Sequence, residues 1–325
     1  MLKQILSRLF QGIVVLLIVS SVTFALLAAA GGDALTALRN EPLVSEQTIN
    51  SLRHVYGLDQ PLPVRYLHWL AGIMRGQMGE SFFYHAPVST IIWPRLLATL
   101  LLAAVALCIA WTVALVLGAL AARRAGTWID RLCTLIILLA ASTPRIVLAL
   151  LALALAVRTS LFVVGVVPVG ESVLAGLARI ILPALVLSVP LIALFLAQVR
   201  DGLGSALRAE FVQVARAKGL PERIVILRHA LRATLNPLIT IFGYSLGGIV
   251  SGSVIVETVL GWPGIGQLSV VAVRSRDVPL LMGVVLITAT AVLVGNLIAD
   301  ILLRLNDPRL RGNAKSSTVQ SVNPT

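Results

Sequence analysis

Apolar residues crowd into six runs, at 9–30, 96–121, 132–157, 180–199, 238–256 and 279–303. Each is close to 20 residues or longer, the length a helix needs to cross the hydrocarbon of a bilayer. The pattern therefore predicts an all-α chain, a polytopic transmembrane helical bundle with six spans. The first run follows Lys3 and Arg8 and ends in Ala28-Ala29-Ala30, which imitates a signal peptide. Its length exceeds the 7–15 apolar residues of a secretory core, so it is read as an uncleaved span.

The polar stretches between the runs differ in character. Residues 31–95 carry five basic and five acidic residues and three of the four histidines, at wide spacing without a metal-ligand pattern. Leu67, Trp69, Leu70 and Ile73 predict a short helix there. Residues 161–170 are apolar but broken by Gly165, Pro168 and Gly170, as an extension of the third run or a short outer loop. The stretch 205–237 is the most charged interior segment. Arg200, Arg208, Arg216, Lys218, Arg223, Arg228 and Arg232 face only Asp201, Glu210 and Glu222.

Inside that stretch Ser205 is expected to cap a helix reaching Lys218. Phe211, Val214, Ala215 and Lys218 then share one face. Gly219 suits the left-handed residue that closes a helix, and Pro221 follows it. Pro221 also suits the start of a second helix, with Glu222 near its positive end. The segment reads as helix, break, helix, placed in water beside the membrane. Such a piece suits the transmission of a push from a soluble partner, or it only sets topology.

Composition sharpens this picture. The chain has 325 residues, 58% hydrophobic and 12% charged, against about 25% charged in soluble domains. The net charge of +12 does not point to nucleic acid, because the cations sit in short loops between apolar runs. Sixteen of the 26 Lys and Arg fall on the side holding both ends of the chain and the loops 122–131 and 200–233, and all three lysines are among them. The positive-inside rule makes that side cytoplasmic. Cys108 and Cys133 lie in or beside apolar runs and read as buried thiols.

One charge stands inside a span. Ser142-Thr143-Pro144-Arg145 interrupts the third run, where Pro kinks a helix and frees a carbonyl. An arginine at mid-span costs about 2.5–3.5 kcal/mol on the insertion scale. Arg145 is therefore expected either to face protein or a water-filled cavity, with Ser142 and Pro144 lining a path, or to satisfy the carbonyls freed by Pro144.

Three function classes are open to such a chain. An intramembrane serine protease needs a nucleophile and a base in the bilayer. Ser251 and Ser253 flank Gly252 in the fifth run, but no histidine lies in any run. An ion-coupled carrier needs a deep carboxylate. Glu257 and Asp300 stand near span ends, with Asp300 four residues from Arg304. The third class is a transport subunit, which needs a separate ATPase if its transport is driven by ATP. The three lysines follow Leu2, Ala217 and Ala314, so none belongs to a phosphate-binding loop.

The motifs ARAKGL at 215–220 and HALR at 229–232, then Pro237, resemble the inner-membrane permeases of bacterial ATP-binding-cassette importers. The closest subfamily is the dipeptide, oligopeptide and nickel permeases. Further matches are YGLDQPL at 56–62, RYLHWLAGIMRGQMGESF at 65–82, ETVLGWPGIG at 257–266, RDVP at 276–279, NLIAD at 296–300 and NDPRLR at 306–311. The resemblance implies the type I importer permease fold, with a first helix and periplasmic segment over 1–95, a permease core over 96–311 and a disordered cytoplasmic tail over 312–325. It implies that the segment known as the EAA loop docks as a coupling helix on an ATPase, through Glu210, Phe211, Gln213, Ala215, Arg216, Ala217, Lys218, Gly219 and Leu220.

The implied partners are a second homologous permease, two ATPases, an external substrate-binding protein and membrane lipid. Segments 31–95 and 258–277 would meet the binding protein. Peptides are the expected solute, with nickel or a metal chelate as the alternative, and no cofactor is expected. Gln213 stands where the family has Glu, and Arg145 where the subfamily has an aromatic or small residue. The topology has a direct test. A periplasm-active reporter fused after Gln60 is expected to be active and one fused after Lys218 silent; the reverse pattern overturns the assignment of sides.

Overall fold

The computed structural model describes residues 2–29, 47, 51, 59–159 and 173–306. The expectations for 161–170, for the tail after 306, for His54 and for most of 31–58 lie outside these residues. Within them the chain is helical apart from one small hairpin. In order the elements are α1 (Leu2–Ala29), α2 (Leu62–Met74), β1 (Glu80–Ser81), β2 (Ala86–Pro87), α3 (Val88–Arg123), α4 (Trp128–Ser142), α5 (Arg145–Thr159), α6 (Val173–Arg208), α7 (Glu210–Ala217) and α8 (Glu222–Ile224). A π-helical stretch (Val225–Ala230) then leads into α9 (Leu231–Leu260), α10 (Ile265–Arg274) and α11 (Val278–Asn306). Helices dominate because lipid offers no partner for a free N–H or C=O, and a helix satisfies nearly all of its own.

The central pair is α3 and α6, each 36 residues. At 1.5 Å per residue each is about 54 Å long, more than the hydrocarbon thickness, so both must project into water. Ala106, Ala110, Ala114, Gly118 and Ala121 make a fully buried stripe down α3. Small residues at this spacing let two helix backbones approach closely. A methyl group built at Gly118 would lie 2.6 Å from Cγ1 of Val199, so nothing larger than hydrogen fits there. Phe195, Leu196, Ile249 and Trp262 fill the space beside the stripe, and the Trp111 ring stands 5.0 Å from that of Phe195.

The remaining helices surround this pair. α9 packs on α6 and α11. α1 lies on α11, where the Arg8 guanidinium meets Asp300 at 2.9 Å. Asp300 thus pairs with the first helix; the side chain of Arg304, its expected partner, lies outside the described residues. α2 forms where Leu67, Trp69, Leu70 and Ile73 predict a helix. It reaches α1 through Tyr66, whose hydroxyl is 2.9 Å from Oγ of Ser20. Long apolar side chains on α1, α4 and α5 point outward, among them Phe10, Leu138 and Leu151. In a bilayer these meet acyl chains rather than water. Cys133 is buried as expected, but Cys108 is exposed on this outer surface.

Two local expectations are corrected. The third apolar run is not one continuous kinked helix, because α4 and α5 meet at an angle of 99°, as a broken span or a re-entrant loop. Thr143 is extended (φ −84°, ψ 119°) before Pro144, as the residue preceding a proline prefers. Ser205 caps nothing, since α6 runs through it to Arg208 and the break falls at extended Ala209 (φ −70°, ψ 150°). The second helix of the charged segment joins the fifth run. It continues through the π-helical stretch into α9. A second sharp bend of 80° separates Ser251–Leu260 from Ile265–Arg274. By length and composition five single helices are able to cross a membrane, and up to seven crossings result if each bent pair counts as one.

Candidate functional site

The charged segment folds onto the projecting end of α6. Leu203, Ala206 and Leu207 of α6 form an apolar cluster with Val212 and Ala215 of α7 and with Val225, Ile226 and Ala230. This cluster decides which way α7 faces. Val212 is 0% and Ala215 5% exposed, whereas Phe211 is 48%, Val214 53% and Leu227 68% exposed. Of the four residues expected on one face, Ala215 turns inward beside Val212, and Phe211, Val214 and Lys218 remain outside. An amphipathic helix normally buries its apolar residues. Here two sides of α7 are apolar, and only one is covered by its own chain.

The turn after α7 is built tightly. Gly219 adopts φ +76°, the left-handed position at which a side chain is strained. Its N–H donates to the Arg216 carbonyl at 2.9 Å. Pro221 then stands just before the first residue of α8, Glu222. The Arg216 guanidinium forks onto that carboxylate, with Nη2 2.7 Å from Oε1 and Nε 3.2 Å from Oε2. The hydrogen bond to Glu222 raises the Arg216 guanidinium above its ordinary value. An exposed pair contributes little stability, but two parallel bonds fix an angle. Gln213 donates through Nε2 to the Arg208 carbonyl at 3.4 Å. Glu210 opens α7 and is exposed. Phe211 also borders a recess of about 340 Å³ with Arg228, His229, Arg232 and Ala233, which gives the exposed face a cationic margin. Below the loop, Arg200 Nε meets Asp130 at 2.6 Å and fastens the start of α4 to α6.

Ser142, Pro144 and Arg145 form a separate group at the bend between α4 and α5. Ser142 and Pro144 are exposed and Arg145 is half-buried. The Ser142 hydroxyl donates back to the Leu138 carbonyl at 2.7 Å. Arg145 reaches α9 and lies against Gly252. The nine residues of the charged segment are thus brought together, and the three at the bend stand apart from them elsewhere in the bundle.

Two buried carboxylates are functional candidates that the sequence pattern hides. Glu257, near the far end of α9 from α7, is 0% exposed. It accepts from Thr99 Oγ1 at 2.7 Å and from the Gln267 N–H at 3.0 Å. The Thr99 hydroxyl in turn accepts from the Ile265 N–H at 2.8 Å. A methyl group at Gly264 or Gly266 would collide with this carboxyl group. Glu257 therefore holds the bend between α9 and α10 to α3. Asp277 has a similar role where α10 gives way to α11. It receives Ser81 Oγ at 2.6 Å, the Phe83 N–H at 3.0 Å and, as N-cap of α11, the Leu280 N–H at 3.1 Å. The signal available in sequence was the glycine pair around Ile265 and the Asp preceding Val278-Pro279.

Over almost its whole length the chain is similar to known membrane proteins. Residues 114–312 match the family model described as the binding-protein-dependent transport system inner membrane component. Residues 1–103 match the model of the N-terminal region of that membrane component. A protein named as a peptide permease in Brucella suis biovar 1 is 35% identical over 317 residues, covering 96% of this chain and 99% of its own length. The oligopeptide transport system permease protein AppB of Bacillus subtilis is 35% identical over 315 residues, 95% of this chain and 99% of that one. The nickel import system permease protein NikB of Staphylococcus aureus is 32% identical over 322 residues, 98% and 95% of the two chains.

The Glu257 network has a thermal test. Glu257→Ala leaves the Thr99 hydroxyl and the Gln267 N–H without their acceptor, at about 1–3 kcal/mol for each buried group. The unfolding midpoint of the detergent-purified protein is expected to fall by several degrees, while exposed Thr258→Ala leaves it in place. Equal midpoints for the two variants would show that the carboxylate holds nothing.

Proposed function

Because the chain belongs to the binding-protein-dependent transport system inner membrane components, we propose that it is one of two permease subunits that enclose the path of an ATP-driven importer. It is an integral membrane permease of an ATP-binding-cassette importer and, on this reading, carries peptides delivered by an external binding protein. The chain crosses a bacterial inner membrane six times with both termini in the cytoplasm. ATP hydrolysis takes place on two separate ATPase subunits. The second permease is a homologue, and the two subunits form the path as a heterodimer.

The observation that carries the reading is the uncovered apolar face of α7. Phe211 and Val214 of α7, with Leu227 of the adjoining π-helical stretch, stand in the open although α7 buries Val212 and Ala215 on its other side. A patch of this kind marks a docking surface. Its base is continuous with α6 on one side and, through the π-helical stretch, with α9 on the other. A displacement of Phe211 must therefore move two long helices of the bundle. Glu210, Gln213, Arg216, Ala217, Lys218, Gly219 and Leu220 complete the coupling element. At the other end, α2, the β1–β2 hairpin and α10 offer the surface for the binding protein, with Glu257 and Asp277 holding that surface to the bundle. Peptide transport draws support from the relatives named for peptides and oligopeptides. A nickel permease is the second reading, favoured by the Staphylococcus aureus relative.

The double variant Phe211→Ala, Val214→Ala separates docking from folding, since both side chains are half in solvent. Burying two such side chains at an interface is worth roughly 1.5–3 kcal/mol each. Co-purification of the ATPase with the membrane subunits, and substrate-stimulated ATP hydrolysis, are expected to fall at least tenfold at unchanged membrane level. Normal values for both would remove α7 as the coupling element.

A further inference from the structure

Arg145 is the first residue of α5, placed where the chain turns by 99° after Ser142, Thr143 and Pro144. Its side chain does not run out to the surface of the bundle. It crosses to α9 and lies flat on Gly252, where a methyl group would sit 2.6 Å from Nη1, 2.8 Å from Cζ and 3.0 Å from Nε. Any other residue at 252 would expel the guanidinium from this position. Gly248, four residues earlier on the same face of α9, has no heavy atom within 4 Å of the place where a side chain would begin. Ser251 beside it is exposed, its hydroxyl turned back to the Gly248 carbonyl at 3.2 Å. The face is thus open, small and lightly polar, with one fixed cation at its edge.

Among the described residues no carboxylate forms an ion pair with Arg145. Arg8, Arg200 and Arg216, by contrast, sit on Asp300, Asp130 and Glu222. The residues that follow Arg145, Ile146 and Val147, are exposed and apolar. A guanidinium is charged at any physiological pH and has five N–H donors in a planar fork that matches a carboxylate. Half-buried among apolar groups without an anion, it is complementary to one that arrives.

Resting on the reading of this chain as a peptide importer permease, we propose that Arg145 meets the carboxylate of the solute in transit and makes the path selective for solutes with a free carboxylate, such as the C-terminus of a peptide. Gly252 holds the guanidinium flat, and the open face at Gly248 and Ser251 admits the solute.

The test uses the complete transporter, with both permeases, the ATPases and the binding protein, in proteoliposomes. Uptake of one radiolabelled peptide is compared in its free-acid and C-terminally amidated forms. Only the variant-to-wild-type ratio is read, so the preference of the binding protein cancels. In Arg145→Ala the free-acid to amide uptake ratio is expected to fall about tenfold, the scale of a hydrogen bond to a charged group. Arg145→Lys restores most of it. Should Arg145→Ala fail to assemble, Arg145→Gln removes the charge while keeping donors, with the same expectation. An unchanged ratio in either neutral variant, as follows if Arg145 pairs with an acid of the sister permease or only supports the bundle, overturns the assignment while wild-type import stands. Wild-type proteoliposomes that import neither form overturn the importer reading, and this assignment with it.

Discussion

Where α3 crosses α6, a stripe of alanines and Gly118 leaves no side chain larger than a methyl group between the two backbones. The rest of the bundle depends on this close approach. In lipid there is no water to expel, so helices associate through packing and interhelical hydrogen bonds, and packing is tightest where side chains are smallest. The same contact fixes the direction in which α6 leaves the bundle. Val199 and Arg200 sit at the Gly118 end of the stripe, and Arg200 is tied at once to Asp130. The last turns of α6 then project as a rigid arm. α7 folds against that arm through Leu203, Ala206 and Leu207.

Two ends of one long element follow from this arrangement. α9 begins at the cluster beneath α7 and ends at Glu257, about 40 Å away at 1.5 Å per residue. Glu257 grips α3 through Thr99 and grips α10 through the Gln267 N–H. A buried carboxylate with its acceptors filled resists local deformation. On the proposed function, motion imposed at α7 would reach the α9–α10 bend along this helix, and Arg145 lies against it at Gly252, between the two ends.

Much of this was legible from the pattern of apolar runs. Five of the six runs fall on single long helices, because a run of 20 apolar residues in lipid has no other way to satisfy its backbone. Gly219 and Pro221 announced the end of α7, since one residue suits a left-handed backbone and the other cannot continue a helix. Pro144 announced a disturbance but not its size: a kink and a 99° turn begin with the same residue, and what separates them is the packing of α5 against α6 and α9. Ser205 misled because a cap and a mid-helix serine look alike when the preceding apolar run is not seen to continue. Glu257 and Asp277 were hidden for a different reason. Near the end of a span a carboxylate reads as a residue at the water boundary, and only the folding back of α10 and of the hairpin around Ser81 buries it. The inward turn of Ala215 was likewise set by tertiary contact with α6.

Everything proposed for transport depends on α7 being the surface that receives force from the ATPase. Cross-linking of a single cysteine introduced as Phe211→Cys, in a chain with Cys108 and Cys133 replaced by serine and alanine, tests it most directly. The expected result is a covalent adduct with the ATPase subunit in inverted membrane vesicles, and no reaction with a membrane-impermeant thiol reagent added to intact cells. Labelling of that cysteine from outside intact cells, with no adduct to the ATPase, would contradict it.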